Sequence, residues 1–136
     1  MSSIEDARKA LYELGLEVRR EVLGSDYVDE SLARTAGTES QDLQELVTQN
    51  VWSAIWTRPG LERRTRSLLN IAMLTAMNQH HELSVHVRGG IRNGLSNQEI
   101  VEAILQATVY CGAPSGLAAM RIAQEVMNKE SAAAKR

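Results

Sequence analysis

The spacing of the apolar residues constrains this chain more than any other feature. Through most of the sequence they recur every three to four positions, in segments separated by glycine and proline. Residues at that spacing share one face of an α-helix, whereas a half-buried strand would show strict alternation. The first segment has a stripe of this kind formed by Ile4, Ala7, Leu11, Leu14, Val18 and Val22. The pattern predicts an all-α protein.

Helix ends are indicated by capping residues, glycines and prolines. The predicted helices span residues 3–23, 29–34, 40–56, 62–79, 82–93, 96–111 and 114–128. Gly24 and Gly112 are typical stop residues, and Pro114 suits the first turn of the last helix. Ser96 with Glu99 three residues later predicts a capping box. From Leu68 onward the fourth segment is apolar on nearly every side, which predicts a central helix buried all round.

Length and composition favour one soluble domain. A chain of 136 residues with 43% hydrophobic side chains can build a core without disulfides or metals. We divide the predicted single domain of 1–136 into an N-terminal helical arm of about 3–35, a core of about 40–128 and a frayed tail of 129–136.

Charge and cysteine content limit the partners and the compartment. The net charge of −2 leaves no excess of cations to neutralise a nucleic-acid backbone, so a nucleic-acid partner is not expected. The single Cys111 cannot form an internal disulfide, which favours a reducing compartment. We find no apolar export signal and no membrane-spanning stretch, and therefore expect a cytoplasmic protein without a membrane partner.

All three histidines lie within seven residues, at His80, His81 and His86. Glu82 is four residues before His86, so on a helix its carboxylate could hold the imidazole for acid–base chemistry. An exposed ion pair on a solvated face is the alternative. His81 and His86 are five residues apart and do not share a helix face, and no third ligand has a recognisable spacing, so we expect no metal.

Several arginines precede the apolar part of the fourth segment: Arg58, Arg63, Arg64 and Arg66. Cations are unfavourable near a helix N-terminus, so this cluster indicates either a bound small anion or a solvated helix start. Asn70 lies among apolar residues and needs hydrogen-bond partners if it is buried. It is either a tie between helices or a donor in a pocket.

Three other features have a structural and a functional interpretation, and we favour the structural one for each. Gly89 and Gly90, inside a predicted helix, indicate close helix packing rather than space for a ligand above His86. Trp52 and Trp56, four residues apart, indicate a core or a subunit interface. Cys111 follows an apolar helix with no basic neighbour in sequence, which indicates a buried, inert thiol.

Several separated motifs occur in an order and at intervals that match a known family. They are GLEVRREVLG, WSAIWTRPGLERRTRSLLNIAMLTAMNQ, HELSVHVRGGIRNGLSNQEIVEAILQ and VYCGAPSG. Over residues 8–128 the chain resembles the 4-carboxymuconolactone decarboxylases. Peroxide-reducing members of the wider superfamily use Cys-x-x-Cys followed by histidine, where this chain has Gln79, Glu82 and His86. Without those thiols, disulfide-based peroxide reduction is excluded.

The resemblance implies an AhpD-like subunit of about six helices in a homo-oligomeric ring, a hexamer or trimer, with no cofactor. It implies decarboxylation of 4-carboxymuconolactone to 3-oxoadipate enol-lactone in protocatechuate catabolism. His86 would donate a proton or stabilise an oxyanion, with Glu82 orienting it. Arg66 and Arg88 would bind the substrate carboxylates, with further contacts from Arg64, His80 and Asn70. The alternatives are a related enzyme acting on another lactone or cyclic acid, and a non-enzymatic oligomer that binds a small anion.

Overall fold

The computed structural model describes residues 3–136, and every regular element in that range is helical. A single π-helical turn, Thr48–Trp52, follows the third helix. The all-α prediction is confirmed, with seven α-helices in the described range, whereas the family resemblance implied about six. These are α1 Ile4–Leu23, α2 Ser25–Thr35, α3 Gln41–Val47, α4 Arg63–Ala76, α5 His80–Arg92, α6 Asn97–Cys111 and α7 Ala113–Ala134.

Among the predicted helix limits that differ from the structure, three are informative. α2 begins at Ser25 instead of residue 29, directly after Gly24, whose φ of 91° makes the turn from α1. The helix predicted over 40–56 is interrupted by the π-helical turn, where the Thr48 hydroxyl donates to the Gln44 carbonyl. Such bonds compete with regular helix geometry. α7 continues to Ala134, through most of the tail predicted to fray, because its last turns contain alanines with high helix propensity.

The chain divides into two compact units, one ending at Leu61 and the other formed by Glu62–Arg136. The sequence had suggested a boundary between a short arm and a core starting near residue 40. Residues 41–61 instead group with the N-terminal helices, because α3 and the π-helical turn pack on α1 and α2.

In the N-terminal unit, α1 packs closely against the π-helical turn at Gly15. A Cβ atom there would lie 2.1 Å from the Thr48 carbonyl oxygen, so the contact requires glycine. The buried Arg19 guanidinium donates to Gln44 Oε1 at 2.9 Å and to Ser31 Oγ at 3.1 Å, which links α1 to α2 and α3. Trp52 and Trp56 are buried and stacked with ring centroids 5.0 Å apart, as the core interpretation predicts.

In the C-terminal unit, α4 packs on α5 and α6, and α7 packs on α5 and α6. At Gly90 an added Cβ would lie 2.9 Å from Leu95 Cδ1 and 3.3 Å from Ile71 Cδ1, which confirms the helix-packing interpretation for this glycine. The Ser96–Glu99 capping box is also confirmed. The core is formed by Ile71, Leu83, Val87, Leu95, Ile100, Ile104, Ala119, Ala123 and Met127.

In the single chain α4 is buried on one side only, so the prediction that it is buried all round is wrong. α4 buries Ser67, Ile71 and Thr75, whereas its other side exposes Leu69 and Met73. The neighbouring helices α5 and α6, with a smaller contact from α7, cover only part of the α4 surface. The apolar residues left over line a surface groove described below.

Candidate active site

His86 lies in the middle of α5, and its ring is almost fully removed from solvent. The helix buries Leu83, Val87 and Gly90, and this orientation also carries the residue 86 side chain inward. Only 9% of His86 is exposed. The ring nitrogens of an imidazole buried among helices need hydrogen-bond partners.

Asn70 on α4 supplies one such neighbour. Its side-chain Nδ2 lies 3.5 Å from His86 Nδ1. Arg66 is one helical turn before Asn70 and therefore lies on the same side of α4. The structure thus joins two residues selected from the sequence, Asn70 and His86, and places Arg66 on the helix face next to them.

Burial controls the protonation of His86. Desolvation lowers its pKa from 6.5 to about 4, because the charged imidazolium loses more hydration than the neutral ring does. The ring is therefore neutral at pH 7. A neutral imidazole presents one N–H donor and one acceptor nitrogen, so it is better suited to donating a hydrogen bond than to releasing a proton as an imidazolium.

The other residues of the histidine cluster lie in the first turn of α5 and face solvent. His80, His81 and Glu82 are all exposed. Within residues 3–136 no hydrogen bond joins Glu82 to His86, although the i,i+4 spacing predicted one. His86 Nδ1 faces α4 across the helix interface, where the Asn70 amide takes the place expected for the carboxylate.

Two of the predicted substrate-binding arginines form ion pairs with carboxylates that sequence reasoning missed. Arg64 Nη2 lies 2.5 Å from Glu99 Oε2 on α6, and Arg88 Nε lies 3.3 Å from Glu130 Oε1 on α7. The Ser96 backbone amide, followed by the Arg64 side chain, lowers the pKa of Glu99 below its usual value. Both pairs join helices far apart in sequence, and no local spacing pattern indicates them.

Cys111 is exposed at the end of α6, so the prediction of a buried thiol is wrong. Cys111 continues the face of α6 that carries Ile104 and Ala107, but it is the last residue of the helix and its side chain is exposed there. Its neighbours Tyr110 and Met73 line a surface groove of about 400 Å³ between α4 and α6. Neither His86 nor Asn70 lines this groove.

The described residues show neither a metal-binding cluster nor a membrane span. Within residues 3–136 no group of three or more His, Cys, Asp or Glu side chains could hold a metal ion. In the same range, none of the helices combines the length and the apolar character that crossing a membrane would require.

Comparison with known proteins gives the family. Residues 41–125 match the model of the carboxymuconolactone decarboxylase family. The chain belongs to this family. The matched region includes all the predicted site residues, from Arg64 to Arg88, and the resemblance noted in the sequence is confirmed.

Two relatives in this family have names that specify substrates. The 4-carboxymuconolactone decarboxylase of Acinetobacter baylyi is 44% identical over 115 residues, which are 85% of each chain. The nitrosuccinic acid decarboxylase of Metarhizium robertsii is 42% identical over 124 residues, which are 91% of this chain and 86% of the relative. Both names describe loss of carbon dioxide, from two different acids.

Proposed function

We propose that this protein is a cofactor-free carboxy-lyase that converts 4-carboxymuconolactone to 3-oxoadipate enol-lactone and carbon dioxide, in the catabolism of protocatechuate. The observation that carries the proposal is the buried, neutral His86 beside Asn70, within a chain 44% identical over 85% of its length to a 4-carboxymuconolactone decarboxylase.

The chemistry of this substrate defines what the site must do. The departing carboxylate is attached to the ring carbon γ to an unsaturated lactone carbonyl. When the C–C bond to carbon dioxide breaks, its electron pair moves through the C=C bond onto the carbonyl oxygen and forms a dienolate. A proton then adds to the α-carbon. The enzyme must stabilise the oxyanion, bind the spectator carboxylate and supply that proton.

His86 meets the first requirement. A neutral imidazole N–H in a site from which water is largely removed is an effective donor to a developing oxyanion, because little solvent competes for the hydrogen bond. We therefore assign His86 as the oxyanion donor, in preference to a role as imidazolium acid.

Arg66 is our first choice for the spectator carboxylate, because it lies on the same side of α4 as Asn70. Arg88 and Arg64 stay as predicted substrate contacts, although their ion pairs with Glu130 and Glu99 favour structural roles. His80 and Glu82, both exposed at the start of α5, also stay as predictions. Glu82 stays as the residue predicted to orient His86, and we assign the α-carbon proton to water.

A second candidate substrate class comes from the Metarhizium robertsii relative. In nitrosuccinic acid a nitro group can accept the electron pair released with carbon dioxide, again on oxygen. Oxyanion stabilisation by His86 would serve both reactions. The second proposal is therefore the same chemistry on another acid with an oxygen electron acceptor, with non-enzymatic binding of a small anion as the remaining alternative.

The decisive experiment supplies both substrates to the purified protein and follows carbon dioxide release. 4-Carboxymuconolactone would be generated enzymatically from protocatechuate, and nitrosuccinic acid would be added directly. We expect turnover of the lactone above the spontaneous rate. Turnover of nitrosuccinic acid alone would replace the lactone assignment, and no turnover of either would favour the anion-binding alternative.

The role of His86 is tested in the same assay by substitution. His86→Ala should lower kcat by about two orders of magnitude, because it removes the oxyanion donor. His81→Gln is the matched control, since it removes an exposed imidazole from the same helix and should leave kcat unchanged. Equal activity of the two variants would contradict the assignment.

We propose in addition that the protein is a homo-oligomer, as a trimer or hexamer, and that it acts in the cytoplasm. Exposed apolar side chains on α4 and α6 support the first proposal, and the single cysteine supports the second.

A further inference from the structure

We propose that Asn70 is a positioning residue that selects one tautomer of His86, the form with its proton on Nε2. The contact between the two side chains joins two nitrogen atoms, Asn70 Nδ2 and His86 Nδ1, at 3.5 Å. An amide nitrogen carries hydrogens and has no lone pair to accept a hydrogen bond. The bond therefore requires Nδ1 to be the acceptor, which leaves the ring proton on Nε2.

The neighbour decides the tautomer because the buried ring carries a single proton. With a pKa of about 4, the imidazole is neutral throughout the physiological range, so either Nδ1 or Nε2 is protonated but not both. In water an imidazole exchanges between the two forms. In the protein, the form with Nδ1–H would direct an N–H group at an amide N–H group.

Asparagine is suited to this task in a way that a carboxylate is not. An aspartate at position 70 could only accept, so it would favour Nδ1–H or the imidazolium ion. Either change alters what the ring presents at Nε2 or the charge that it carries. Asn70→Asp therefore introduces a nearly isosteric side chain that accepts a hydrogen bond where the native amide nitrogen donates one.

The assignment of the tautomer does not depend on the proposed function, but the catalytic consequence of the tautomer rests on that function. If His86 is the oxyanion donor, the N–H group that reaches the substrate is Nε2–H. In the other tautomer, Nε2 would direct a lone pair at the negatively charged oxygen and repel it instead of donating a hydrogen bond.

Nitrogen-15 NMR of the histidine side chains tests the tautomer directly. Long-range proton–nitrogen correlation spectra at pH 7, on the full chain labelled at histidine, distinguish a protonated ring nitrogen from an unprotonated one. The His86 signals are identified by their loss in His86→Gln. We expect Nδ1 of His86 unprotonated and Nε2 protonated, unlike the averaged signals of the exposed His80 and His81. A wild-type ring with Nδ1–H, or with averaged signals, would overturn the proposal.

Two variants at position 70 extend the test. Asn70→Asp should shift His86 to Nδ1–H or to the imidazolium, and Asn70→Leu should lower the fraction of the ring that carries its proton on Nε2. Asn97→Asp is the matched control, because it adds the same charge at an exposed position of α6 and should leave the His86 pattern unchanged. A His86 pattern in Asn70→Asp identical to that of the wild type would refute the proposal. The wild-type spectrum decides the question even if a variant fails to fold.

Measuring kcat and KM of Asn70→Asp tests the proposed function separately from the tautomer. With the tautomer changed in Asn70→Asp, kcat for the lactone should fall by about tenfold or more, with a smaller change in KM, because the donor acts in the transition state. A changed tautomer with an unchanged kcat would refute the role of His86 as oxyanion donor and leave the positioning role of Asn70 intact.

Discussion

The His86 imidazole loses most of its hydration between α4 and α5, and the Asn70 amide beside its Nδ1 is uncharged. Burial without a compensating carboxylate lowers the pKa to about 4. A carboxylate such as Glu82, had it reached the ring, would have opposed that shift by stabilising the imidazolium. Burial of the ring thus favours one of the two roles expected for His86, hydrogen-bond donation to an oxyanion, over proton donation.

The lowered pKa of His86 predicts a loss of stability in mild acid. Between pH 6.5 and 4 the unfolded chain binds a proton at this histidine and the folded chain does not, so stability falls as the pH falls through that window. The free energy of unfolding of the wild type should drop by about 3 kcal/mol more than that of His86→Gln between pH 7 and 4.

Urea unfolding at several pH values measures this difference. His86→Gln is the reference because glutamine does not titrate, so changes at carboxylates affect both proteins alike. Parallel stability curves for the two proteins would show that the imidazole does not resist protonation in the folded state.

At the scale of helices, the clearest packing constraint is the contact between α1 and the π-helical turn. In Gly15→Ala the new Cβ would be 2.1 Å from a backbone oxygen, and the main chain must move to relieve it. We expect a net destabilisation of about 1–3 kcal/mol from overpacking, even though alanine favours a helix by about 1 kcal/mol over glycine.

Thermal unfolding followed by circular dichroism measures the effect of Gly15→Ala. Gly60→Ala is the matched control, since a Cβ atom at Gly60 meets nothing within 4 Å. A Gly15→Ala protein as stable as the control would mean that α1 does not approach Thr48 this closely.

The start of α6 is held by the Ser96–Glu99 capping box, and Glu99 also binds Arg64 of α4. Ser96→Ala removes the side-chain acceptor for the Glu99 amide and should cost about 1 kcal/mol of stability. Chemical denaturation compares it with Ser131→Ala, an exposed serine in the last turns of α7. Equal midpoints would contradict a stabilising cap.

Many apolar side chains are exposed on the C-terminal unit. Val109 is 83% exposed, Tyr110 82% and Leu117 66%, and Met73 with Tyr110 lines the groove between α4 and α6. Exposed apolar patches are typical of surfaces through which proteins associate. A second copy of the chain is the occupant that the homo-oligomer prediction requires.

Light scattering coupled to size-exclusion chromatography tests this prediction. We expect a mass three or six times 15.0 kDa, and Tyr110→Asp should lower it because a charge in an apolar contact is costly. Glu39→Lys, an exposed change in the turn before α3, should leave the mass unchanged. A monomeric wild type would refute the prediction.

Local patterns were sufficient for the helical class, the capping box at Ser96, the packing role of Gly90 and the family. Each depends on residues close in sequence or on motifs in order: the 3.6-residue period places apolar side chains on one face, and a cap involves residues three apart. His86 and Asn70 could be chosen in the same way, one from a histidine cluster and the other as an amide in an apolar run.

Which residues meet was decided only by the tertiary structure. Asn70 and His86 are 16 residues apart, and Arg64 and Glu99 are 35 apart, so no helical period relates them. Glu82 has the right spacing from His86 but lies exposed in the first turn of α5, and α4 brings the Asn70 amide to the ring instead. The sequence specifies which side chains share a helix face, but the protonation of a buried imidazole depends on the desolvation and the neighbours that helix packing creates.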